Sequence, residues 1–123
     1  MKHFKWKSEV YEHFDFNLYI GTSEEISDAL IKNGFNELSP NADAKFTGDE
    51  NLKASFYFVT DRGEIEPWVI SHEAGHCLTY VYWNLEMELD RVNDHAHIYF
   101  HDWIVKSIIT RMRKYFEILE SKS

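Results

Sequence analysis

One cysteine, Cys77, is all that the chain contains. A disulfide within the chain is therefore excluded, and the composition fits a reducing compartment. Breakers are sparse too, with 2 Pro and 5 Gly. That excludes a collagen-like or low-complexity chain, and no segment beyond a few residues reads as disordered. No apolar run approaches the ~20 residues needed to span a bilayer. The opening "MKHFKWKSEVYEHF" has neither a long apolar core nor a small-residue cleavage site. It does not read as a secretory signal, so a cytoplasmic location is expected.

Positive charge is also in deficit. The chain has 13 Lys+Arg against 21 Asp+Glu, a formal net charge of -8. Nucleic-acid binding needs clustered positive charge, so an RNA or DNA partner is not expected. The few basic clusters, Lys2, Lys5, Lys7 and then Arg111, Arg113, Lys114, lie near the ends and read as solvated faces.

What is present is aromatic. Aromatic residues make up 16% of 123 residues, and rings bury much area per residue. The length suits one domain, residues 1–123, with one core.

Local patterns give the element order. "FDFNLYI" alternates, with Phe14, Phe16, Leu18 and Ile20 on one face, and predicts a half-buried strand. Thr22 and Glu25 form a capping box ahead of a short helix with the stripe Ile26, Ala29, Leu30. "NG" at 33–34 ends that helix. Residues 36–53 read as a long loop with a short strand near Phe46. "ASFYFVT" at 54–60 predicts a second strand. Pro67 is placed as the first residue of a helix running to about Leu85. Asn93 or Asp94 caps a final helix to about Leu119. The fold class expected is α+β: a short sheet, a middle helix and a long C-terminal helix.

The chemistry lies in the middle helix. "HEAGH" places His72, Glu73 and His76 in the H-E-x-x-H pattern. Residues four apart share a helix face, so both imidazoles can reach one ion. Glu73 sits beside that face, placed to take a proton from a zinc-activated water as general base. Ile70, Ala74, Cys77, Leu78, Val81 and Leu85 form an apolar stripe. Val69, Tyr80 and Trp83 fall near the histidines, so the histidine face is expected to be walled off from bulk water. The alternative is two histidines in a buried helix, satisfied by carboxylates.

A hydrolytic zinc usually has three protein ligands. The extended H-E-x-x-H-x-x-G-x-x-H form is absent. "NDHAHIYFHDW" supplies Asp94, His95, His97, His101 and Asp102. The stripe of the last helix, Val105, Ile108, Ile109, Met112, Phe116 and Leu119, extrapolates back through Asp94, His97 and His101. His95, Tyr99 and Asp102 fall on the adjacent face. Asp94 and Asp102 are also candidate carboxylate partners for ligand imidazoles. Tyr99, Tyr80 and Tyr82 are candidate donors to a developing oxyanion, with core packing as the alternative role for each.

Over residues 54–110 the chain resembles the small zincin-like metallopeptidases common in bacteriophage genomes. His72-Glu73-Ala74-Gly75-His76 matches their first helix. His95, Tyr99 and Trp103 match the spacing that opens their second, with His95 where the family usually has Glu. The resemblance implies a gluzincin-like zinc site of His72, His76 and His95, with Glu73 and Tyr99 catalytic. It implies peptide-bond hydrolysis, in a host cytoplasm if the chain is phage-encoded, and strand 54–60 is placed as an edge that pairs with an extended peptide. The rival expectation is a weak or inactive zincin scaffold that binds or inhibits a partner protein.

Overall fold

The computed structural model describes residues 1–86 and 94–122, without the side chains of residues 94, 95 and 122. It is an α+β fold in which helices cover both faces of a mixed sheet. The order is β1 (Lys2–Trp6), β2 (Asp15–Gly21), α1 (Ser23–Lys32), β3 (Ala44–Gly48), β4 (Lys53–Val59), α2 (Pro67–Asn84) and α3 (Asp94–Lys122).

The sheet runs β1-β2-β4-β3. β2 and β4 pair in parallel, and β1 and β3 add antiparallel at the two edges. Strand 54–60 is therefore central, which corrects its expected place at an edge. β3 takes that place. β1 had no counterpart in the expected order.

Alternation in the central strands separates two cores. Phe16, Leu18, Ile20, Ala54, Phe56 and Phe58 pack with α2 and α3. Tyr19, Tyr57 and Val59 pack under Ile26, Ala29 and Leu30 of α1. β2 is thus covered on both faces, not one, because α1 lies over the side expected to face water. A parallel pair needs a crossover connection, and a helix in it covers a sheet face.

α1 starts as its sequence requires. Glu25 N donates to Thr22 Oγ1, and Thr22 N donates to Glu25 Oε1. Asn33 caps the far end and Gly34 takes φ +88°, a left-handed conformation that suits glycine.

α2 begins with Pro67 at its first position. Ile70, Ala74, Cys77, Leu78 and Val81 are buried as the stripe predicted, while Leu85 is exposed. In α3 the buried line is Phe100, Ile104, Ile108 and Met112. Phe116 and Leu119, expected in that core, are exposed because the helix outruns the sheet that covers its first half.

Candidate metal centre

α2 lies against edge strand β3 on one side and α3 on the other. The β3 side holds a cleft of about 620 Å³, lined by Ala44, Lys45, Phe46, Glu73, His76, Thr79, Tyr80 and Trp83. Its wall depends on one glycine. A Cβ on Gly48 would overlap the Tyr80 ring. Without one, the ring lies against β3, with edge contacts to Phe14 and Phe46. Its hydroxyl donates to the Asp49 carbonyl at 2.5 Å. Burial pushes this phenol up to about 12. Tyr80 therefore clamps α2 to the strand and has its proton committed.

At the cleft, His72 Nε2 and His76 Nε2 stand 3.1 Å apart. One ligand atom from each of His72, Glu73 and His76 lies within 4.8 Å of the others, so the group can hold a metal ion. Two imidazole nitrogens on one tetrahedral zinc, each at about 2.0–2.1 Å, stand roughly 3.3–3.4 Å apart. The observed pair needs little adjustment to reach that geometry. The same separation accommodates one N–H···N hydrogen bond between the two rings.

The three residues differ in setting. Both histidines are exposed and Glu73 is buried, at 8%. This corrects the expectation of a walled histidine face. Trp68 and Trp83, on that side of the helix, are 67% and 82% exposed, whereas Val69 is buried and Tyr80 half-buried. Burial pushes the Glu73 carboxyl above its ordinary value, and His76, His72 and Lys45 pull it back. It is thus a carboxylate with raised proton affinity beside two metal-type donors.

The other candidates are dispersed. His101 Nε2 lies 3.1 Å from the carbonyl oxygen of Ser71, next to the motif. It and His97 do not join the His72–Glu73–His76 group. Asp94 and His95 open α3, but their side chains lie outside the described residues. Tyr99, 70% exposed, lines a separate cavity with Lys7, Tyr11 and Phe100, not the cleft. Tyr82 is buried in the core, stacked on Phe100. Asp102 is exposed on α3. The residues that sequence reasoning missed are Lys45, Phe46 and Gly48, which shape the cleft from β3. Only the Gly48/Tyr80 contact explains that glycine, and the contact is long-range.

No protein-family model, curated protein or solved structure matches the chain. Among the described residues no helix is long and apolar enough to cross a membrane.

Proposed function

We propose that the chain is a zinc-dependent, zincin-like peptidase that cleaves peptide bonds in the cleft between α2 and β3. The observation that carries this reading is the His72/His76 nitrogen pair, 3.1 Å apart, with buried Glu73 beside it. His72 and His76 would hold the zinc, with His95 at the start of α3 as third ligand. Bound there, zinc supplies Lewis acidity and lowers the pKa of a water toward about 7. Glu73 would accept a proton from the attacking water and deliver it to the leaving amine, a role that its raised proton affinity suits. β3, an edge strand lining the cleft, offers main-chain groups for an extended substrate to pair with. Tyr80, held by Asp49, positions α2 instead of acting on the substrate.

One observation favours a second reading. Trp68 and Trp83 stand exposed on the histidine side of α2, and exposed tryptophans are frequent anchors in protein interfaces. In this reading the motif is a scaffold for binding another protein.

Metal analysis tests the centre itself. About one zinc per chain is expected after purification without chelator, falling sharply in His72→Ala and His76→Ala. Among third-ligand variants, His95→Ala should lose more affinity than His97→Ala or His101→Ala. Equal metal content in wild type and the two motif variants would remove the site. The largest loss at His101→Ala would move the third ligand to the residue already touching Ser71.

A further inference from the structure

α1 covers β2 and β4, and β1 lies beyond it. On that side of the sheet, alternation and register bring together His3 and Lys5 of β1, Asp15, Asn17 and Tyr19 of β2, and Lys53, Ser55 and Tyr57 of β4, with Lys7 just past the end of β1. One end of this surface is closed by stacked rings. His3 lies on Tyr19 at 4.0 Å, and Tyr19 on Tyr57 at 4.9 Å. Asn33 Nδ2 donates to both phenol oxygens, at 3.3 and 2.9 Å. The rest opens into two adjoining cavities of about 520 and 500 Å³ that share Lys5 and Lys53.

The charges around this groove do not cancel. Glu25 is taken by the N-terminal ammonium at 2.6 Å, and Asp15 by Lys7 at 3.0 Å. Lys5, Lys32 and Lys53 form no ion pair among the described residues. Only Asp28 remains to oppose them in the lining. In a chain of net charge -8, three unpaired ammonium groups around one groove are a local inversion of sign.

A second observation points to a ligand. Asn17 is only 2% exposed and lines the groove. His3 Nε2–H donates to its Oδ1 at 2.8 Å. Its amide NH₂ reaches only the Asp15 carbonyl, at 3.5 Å, the outer limit of a hydrogen bond. A buried amide with donor capacity in hand calls for an acceptor.

We propose that this groove is an anion site, in which a phosphate or carboxylate oxygen accepts from Asn17 Nδ2 between the ammonium groups of Lys5 and Lys53. Lys32 extends the positive field along α1. Lysine ammonium groups act as point charges and do not select planar from tetrahedral anions, so the shared chemistry is the anionic oxygen. Burial holds His3 below its ordinary pKa, with Lys5 and Lys53 contributing and the Asn17 bond opposing. An anion here offsets the electrostatic part of that depression. The site shares no residue with the metal centre and does not depend on the peptidase reading.

Inorganic phosphate and succinate, each titrated at fixed ionic strength against chloride, test the site. The readout is the ¹H–¹⁵N spectrum, including the Asn17 side-chain amide. Saturable shifts at Asn17 with either probe are expected. Lys5→Gln and Lys53→Gln leave the core untouched, and each should weaken that affinity several-fold. Lys114→Gln, on α3, should leave it unchanged. Saturation by phosphate alone assigns a phosphate ligand, and by succinate alone a carboxylate. Linear shifts matching chloride, or unweakened binding in both groove variants, would overturn the proposal.

Discussion

Glu73 and its two histidine neighbours occupy one turn of helix yet live in different solvents. The imidazoles reach water, while the carboxylate is buried where it lines the cleft. A base beside a metal needs this contrast. It must be close enough to touch the reacting water, and raised enough in affinity to take its proton. Glu73→Gln keeps the size and removes the base. We predict retained zinc, an unchanged melting temperature and hydrolysis reduced by about 10²–10⁴, the usual worth of a positioned general base. Parallel measurement of metal content, melting and cleavage decides the matter. A variant that keeps the protein's full biological effect would leave the binding-scaffold reading and remove the peptidase.

At the scale of elements, what was legible was local. Thr22 with Glu25, the Asn33–Gly34 stop and Pro67 each act within a few residues, and each appears where the sequence placed it. The pairing order was not legible, because the number of neighbours a strand has is decided by distant segments. β4 became central only because β3 folds back along it. β1, with Lys2 and Lys5 around Phe4 and Lys7 just beyond Trp6, carries too much charge to read as a strand alone. Pairing to β2 fixes it. The periodicity of α2 showed correctly that His72 and His76 share a face; it could not show that both imidazoles stand exposed among the described residues. Two glycines turn these contacts into a prediction. Gly75 lies in α2 with open space where a Cβ would go. Gly75→Ala should raise stability by about 0.5–1 kcal/mol, since glycine is a poor helix residue. Gly48→Ala should lower it by ~1–3 kcal/mol, because the methyl displaces the Tyr80 ring and its bond to Asp49. Urea unfolding of both variants checks the pair. Equal effects of the same sign would mean that the Gly48/Tyr80 contact does not join α2 to β3.

For the whole molecule, Cys77 is a built-in reporter. It sits on the sheet side of α2, fully buried among the residues that join strands to helices. Burial also pushes its thiol well above the ordinary range, and only the thiolate reacts readily. Two barriers therefore protect it, and both vanish when α2 leaves the sheet. A disulfide reagent at neutral pH should label the native protein only through such openings. If the labelling rate in increasing urea follows the global unfolding curve, α2 and the sheet open as one cooperative unit. A shallower dependence would show α2 detaching by itself. Rapid labelling without urea would contradict the packing described for α2. The same reporter reads the metal centre without any substrate. Zinc held by the folded chain at 100 times its Kd adds about 2.7 kcal/mol to stability, if the unfolded chain binds it negligibly. The fully protected labelling rate should then fall roughly 100-fold. His72→Ala, whose imidazole is exposed and contributes little to the core, should label like wild type without zinc and show no slowing with it. Slowing of equal size in wild type and His72→Ala would place the zinc elsewhere.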